Sequence, residues 1–370
     1  MTVTYFNDVC LLVDDSLSDP VSVIVKDGVI ARIRRRGPAP NNAEVVHGEG
    51  KTLIPGLIDA HVHITNRRDL DALARYGVTT GIDMASWPPA RTAALRAVRG
   101  TASIFSAGVP FIGSAGPHAR FGMPSHAVVS EPDQAVTEVR RRLIDGSDFI
   151  KIVTEPRGHG GPAPDVVGSI VTAAHEARRV VVAHASHIES FKMSVAAGAD
   201  IITHVPTRSP VAHGLARRTP AAIPTLTVSE ALTGTMALPG SSYEVARDSV
   251  AALHRAGTPI AAGTDAVDAP NVPLTIPLGT SLHHELELLV DAGLTPVEAL
   301  NAATSVPADL FGLDDRGSVE PGLRADLLLV DGDPTTDITS TRRIAGVWID
   351  GVRYPTTDGI SRDEPTASRG

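Results

Sequence analysis

Only one cysteine, Cys10, occurs in the 370 residues, so no intrachain disulfide can form, and a reducing compartment is the natural setting for such a chain. No apolar run reaches the roughly 20 residues that a membrane-crossing helix needs. The first 20 residues carry Asp8, Asp14, Asp15 and Asp19 and lack the basic start and long apolar stretch of a secretory signal, so a cytoplasmic location is expected. The net charge is -9 and no basic stripe is present, which argues against nucleic acid as a partner, because phosphate binding needs clustered Lys and Arg. Arg32-Ile33-Arg34-Arg35-Arg36 comes nearest to such a cluster and reads as a solvated strand end before Pro38 and Pro40. Lysine is scarce. Lys26, Lys51, Lys151 and Lys192 are the four among 33 basic residues, so a position that tolerates either cation would usually carry arginine.

A hydrophobic content of 42% over this length supports a sizeable core, enough for one large α/β barrel and a small satellite. Near the start, Val21–Val25 and Val29–Ile33 read as strands of a hairpin turned by Lys26-Asp27-Gly28. Toward the end, Ala325–Val330 and Gly346–Asp350 read as strands too. Between these regions apolar runs alternate with alanine-rich helical stretches, the pattern of βα units and a parallel sheet. Eight strands are expected, centred on Leu57, Thr80, Phe105, Ile150, Val182, Ile202, Thr225 and Ala261. Helices are expected over Asp69–Tyr76, Pro132–Asp145, Val166–Arg178, Ile188–Ala197 and Tyr243–Ala256. Eight such units imply a (β/α)8 TIM barrel, whose active site lies at the C-terminal ends of its strands. Residues 355–370, rich in Thr, Ser, Asp, Arg and Gly, read as a flexible tail.

The segment Leu57-Ile58-Asp59-Ala60-His61-Val62-His63 is an apolar run ending in His-x-His. Side chains alternate along a strand, so His61 and His63 point the same way and can grip one metal ion. Four further strands repeat the design, each with one group that can serve a metal: Lys151 after Phe149-Ile150, His184 after Val181–Ala183, His204 after Ile201–Thr203, and Asp265 after Ile260–Thr264. Imidazole suits zinc and its neighbours, and a bridging carboxylate can hold two ions together.

This ordered set resembles the amidohydrolase superfamily, in particular the binuclear members with a carboxylated lysine and the branch that holds imidazolonepropionase and Xaa-Pro dipeptidases. Besides Pro55-Gly56-Leu57-Ile58-Asp59-Ala60-His61-Val62-His63 and Gly263-Thr264-Asp265, the likeness extends through Ala292-Gly293-Leu294-Thr295-Pro296, Ala303-Thr304, Gly317-Ser318-Val319-Glu320-Pro321-Gly322, Ala325-Asp326-Leu327 and Asp333-Pro334. The resemblance implies a small β-sandwich formed by residues 1–53 and 317–354 beside a metal-dependent barrel over 54–316. It implies two divalent ions, zinc foremost. His61, His63 and Asp265 would hold the more buried ion and His184 and His204 the more exposed one. Lys151, carboxylated by carbon dioxide, would bridge them.

The implied activity is hydrolysis of a C–N bond, in an amide or cyclic amide of a small molecule, by a metal-activated hydroxide with Asp265 as general base. A lactonase or carboxylic-ester hydrolase on the same centre is the alternative. A decarboxylase, a phosphotriesterase and a noncatalytic scaffold rank below it, the scaffold because all six ligand positions are filled. Relatives carry a histidine after the third strand that reaches the substrate carbonyl, and His118 in Gly116-Pro117-His118 takes that place here. Arg120, Arg157 and Arg208 are candidate carboxylate binders. His47, His126, His175, His187, His213, His254, His283 and His284 read as surface or helix residues, and His159 as part of a loop after the fourth strand. Whether the chain forms a homo-oligomer is left open.

Overall fold

The computed structural model describes residues 2–13, 16–236, 239–269, 272 and 274–355, so the expected tail lies, from residue 356 onward, outside the described residues. The Lys26-Asp27-Gly28 turn joins Val21–Lys26 to Val29–Arg34 in an antiparallel pair. Asp27 and Gly28 stand at φ 50° and 85°, the left-handed pair that a tight hairpin turn demands. The long strand Val3–Val13 pairs with Val21–Lys26 on one side and, in parallel, with Glu44–His47 and then Lys51–Pro55 on the other. Lys51–Pro55 is bordered in turn by Leu327–Asp331, which pairs with Ile344–Ile349. The two ends of the chain thus build one nine-stranded sheet around Phe6, Val9, Val23, Leu53, Leu329 and Trp348.

After Gly56 the chain enters a parallel barrel. Leu57–Val62, Val78–Asp83 and Ser103–Ser106 form one arc, and Ile150–Val153, Val181–His184, Ile201–Thr203 and Ala222–Ile223 form the next. A bridge from Phe111 to Ile152 joins the arcs, Ala222 bridges to Ile260, and Val62 to Ala266 closes the ring. This is the TIM barrel expected from the alternating pattern. Ile58, Ile82, Phe149, Val182, Ile201, Ile223 and Ala261 fill its interior together with Leu313, and Phe311 packs against them. The polar strand ends are left for chemistry.

The helices Arg67–Arg75, Pro164–Glu176, Ile188–Ala196 and Tyr243–Arg255 lie within two residues of their expected spans. Pro132–Gln134 is a 3-10 turn, and the α-helix runs from Ala135 to Ile144. The seventh strand is the main correction. It is Ala222–Ile223, and Thr225 instead begins the helix Leu226–Gly234 with φ 54°. Pro224 has no N–H to continue the ladder, which ends the strand early. The eighth position is held by bridges and single hydrogen bonds, such as Ala60 N–H to Ala262 O at 2.9 Å, instead of a regular strand. No helix among the described residues is long and apolar enough to cross a membrane.

His283 lies on a helix, as expected, and is fully buried. Its Nε2 donates to the Tyr76 carbonyl at 2.9 Å and its Nδ1 lies 3.0 Å from Thr341 Oγ1. Burial pulls its pKa down to about 4, with Arg342 adding to the effect against the Tyr76 carbonyl and Glu287. The native state therefore refuses a proton that the unfolded chain accepts below its ordinary pKa near 6.5. Stability from this group is present above about pH 6.5 and lost as the pH falls toward 4, by at most about 3 kcal/mol. Denaturant titrations of metal-free protein at pH 7 and pH 4.5 are expected to show a smaller acid loss in His283→Gln than in the parent, and equal losses would count against this assignment.

Candidate metal centre

The C-terminal strand ends bring the sequence-predicted groups to one place. His61 Nε2 and His63 Nε2 each lie 3.1 Å from the same oxygen of Asp265, so the first and eighth strands meet across the closure of the barrel. The rings form a row. His63 to His61 is 5.6 Å between centroids, His61 to His204 4.9 Å, His204 to His184 4.4 Å and His184 to His118 4.9 Å. One ligand atom each from His61, His204 and Asp265 falls within 4.8 Å of the others.

The local fold explains these positions. A β-bulge sets Asp59–Val62 against the shorter Gly81–Asp83, and bulges re-aim side chains beside active sites. His204, Thr225 and Asp265 have φ of 70°, 54° and 58° at the ends of the sixth, seventh and eighth strands. Left-handed backbone in non-glycine residues costs energy and persists only where surroundings enforce it. Gly263 is required here, because a Cβ on it would sit 2.8 Å from both the Cβ and N of His61. Two threonines orient imidazoles from behind: Thr203 Oγ1 is 2.5 Å from His61 Nδ1, and Thr225 Oγ1 is 2.8 Å from His204 Nδ1. Such partners fix which ring nitrogen is left to face an ion.

Burial favours the neutral form of three of the imidazoles, the form that ligates a metal. It pulls His61 down to about 4 and His184 and His204 well below the usual histidine range. Burial works the same way on His63, but the hydrogen bond and charge of Asp265 outweigh it and raise that ring. Asp265 is held well below the usual carboxylate range, since His61 and His63 overcome the penalty of its burial.

Lys151, on the strand Ile150–Val153, is the decisive group. It is 4% exposed, and its Nζ has no hydrogen-bond partner among the described residues. Burial pulls its pKa down to about 7, against the opposing charge of Asp265. A buried ammonium without a partner is costly, whereas a neutral amine can add carbon dioxide and become an anionic carbamate. The donor set therefore fits divalent ions: four imidazoles, three of them kept neutral by burial, one carboxylate, and an orphaned amine able to supply a second anion.

His118 is on the 3-10 turn Pro117–Arg120 beside this row. Its Nδ1 is buried without a hydrogen-bond partner among the described residues, 3.6 Å from the carboxylate of Glu155. Phe121 packs edge-on at 5.5 Å. Arg120, Arg157 and Arg208 are all exposed, and His159 approaches His187 at 6.3 Å. Among residues the sequence did not single out are Thr203, Thr225, Asp59 and Glu155. Asp59 stands inside the His-x-His segment, yet simple alternation misplaces it because of the bulge.

Comparison with known proteins places this geometry in context. A solved Xaa-Pro dipeptidase with methionine bound in its active site superposes with a TM-score of 0.82 at 22% identity, covering 95% of this chain and 100% of that one; the likeness carries the fold alone. An imidazolonepropionase of Cereibacter sphaeroides is 37% identical over 114 residues, 30% of this chain and 28% of its own. An adenine deaminase of Bacillus licheniformis is 23% identical over 350 residues, 91% of this chain and 56% of its own. The chain thus spans less than two thirds of the length of these curated relatives. The family model described as the amidohydrolase family matches residues 52–353, taking in the barrel and the C-terminal strands of the satellite sheet, and the chain belongs to that family.

Proposed function

We propose that this chain is a metal-dependent hydrolase that cleaves the C–N bond of a small amide or cyclic amide. The observation that carries the reading is Lys151: a buried amine on a strand end with no hydrogen-bond partner among the described residues, beside imidazoles and one carboxylate. In this reading His61, His63, Asp265, His184, His204 and carboxylated Lys151 hold two divalent ions, zinc foremost, and residues 54–316 carry the chemistry. Bound there, the ions would polarise a carbonyl and lower the pKa of water toward neutrality.

The chain's own groups do the rest. Asp265, whose Oδ1 lies between His61 and His63, accepts the proton released as water attacks the carbonyl. It then returns that proton to the leaving nitrogen, a poor leaving group unless protonated. His118, at the end of the ring row, orients the same carbonyl. The family membership supports hydrolysis of this kind, and the named relatives include a Xaa-Pro dipeptidase and an adenine deaminase.

Matched amide and lactone pairs test the reading. The expected result is a higher kcat/KM for cyclic amides and N-acyl amino acids. Lactones preferred by more than about tenfold, roughly 1.4 kcal/mol of differential barrier, would move the assignment to a lactonase.

A further inference from the structure

Asp59 is fully buried, forms no ion pair among the described residues, and has no part in the ligand set. Its oxygens instead collect donors from two strand ends. Oδ1 accepts the His61 N–H at 3.2 Å and the Thr264 N–H at 3.1 Å, and Oδ2 accepts the Thr264 hydroxyl at 2.7 Å. Thr264 Oγ1 in turn accepts the Ala266 N–H at 3.0 Å, so the residues on both sides of Asp265 are tied down.

The placement coincides with two breaks in the regular ladder. On one side is the bulge between Asp59 and Val62; on the other is Asp265 at φ 58°, with its own N–H donating to the His61 carbonyl at 2.8 Å. Closure of the barrel itself is already made by Ala60 N–H to Ala262 O and His63 N–H to Ala266 O, both at 2.9 Å. Asp59 adds something different, a single carboxylate that fixes the backbone of His61 relative to that of Asp265.

We infer that Asp59 is a positioning residue for the metal centre, stapling the bulged first strand to the left-handed end of the eighth so that His61 and Asp265 keep their ligand geometry. The inference rests on the metal reading above and extends it to a residue that touches neither ion nor substrate. Partners of this kind typically govern metal affinity by about ten- to a hundredfold. An asparagine at this position keeps the shape but supplies one acceptor oxygen in place of two. Thr264→Val removes the hydroxyl contacts to Asp59 and Ala266 while leaving the carboxylate in place.

The test is competition of zinc-loaded protein against a chelator series, with melting temperatures measured with and without zinc. Asp59→Asn is expected to weaken zinc retention about ten- to a hundredfold and to shrink the zinc-induced rise in melting temperature, with Thr264→Val giving a smaller loss in the same direction. A residue that only supports the fold would lower the metal-free and zinc-loaded forms together and leave that rise unchanged, which would overturn the inference. Should Asp59→Asn fail to fold, Thr264→Val decides. Zinc bound by the parent and both variants with equal affinity overturns this inference alone; zinc absent from the parent overturns the metal reading and the inference with it.

Discussion

Lys151→Ala is expected to abolish turnover and to lower bound zinc from about two ions per chain to one at most. The reasoning is a charge count within a buried site. Two divalent ions bring four positive charges, burial disfavours protonation of His61, His184 and His204, and Asp265 supplies one negative charge. A protonated lysine would add to the excess, whereas a carbamate on Lys151 contributes an anion with two oxygens, the geometry a bridging ligand needs. Alanine removes the bridge and leaves a gap the size of the lysine side chain. Short carboxylic acids such as acetate or propionate are therefore expected to restore part of the activity and part of the second ion. The checking measurements are elemental analysis and kcat, each with and without added acid. Full metal content in the variant would remove Lys151 from the ligand set.

Asp265→Asn is expected to lower kcat by about a hundredfold to ten-thousandfold while leaving much of the metal bound. The amide retains an oxygen for an ion and can keep one contact to His61 or His63, so the site keeps most of its shape. It cannot take up the proton that the attacking water must lose. The drop is expected in kcat more than in KM, because the proton transfer belongs to the chemical step. Equal metal content with unchanged kcat would leave Asp265 as a ligand only.

The barrel was legible because its strands are continuous apolar runs separated by helical stretches, and the candidate groups were legible because each stands at the end of such a run. His61 and His63 needed only the two-residue period. The parts that were not legible depend on breaks in regularity. Pro224 stops the seventh strand two residues before Thr225, turning an expected strand centre into the start of a helix and a partner for His204. The bulge after Asp59 changes which way that residue faces relative to His61, so its tie to Thr264, 205 positions along the chain, has no local signal. His283 sits on a helix as expected, but its burial depends on Tyr76, 207 positions away, and on the turn that carries Thr341. Only the Asp59–Thr264 tie is a product of ring closure, but each of these contacts joins segments that are separate in the sequence and meet only in the folded chain.

The claim on which everything else depends is that six side chains hold two ions. Elemental analysis of the intact protein, prepared without chelator in bicarbonate-containing buffer and set beside its specific activity, tests it most directly. Two equivalents of divalent metal per chain, with activity rising until the second is bound, is the predicted result. Full activity at a reproducible single equivalent would contradict the binuclear centre and the bridging role of Lys151 together.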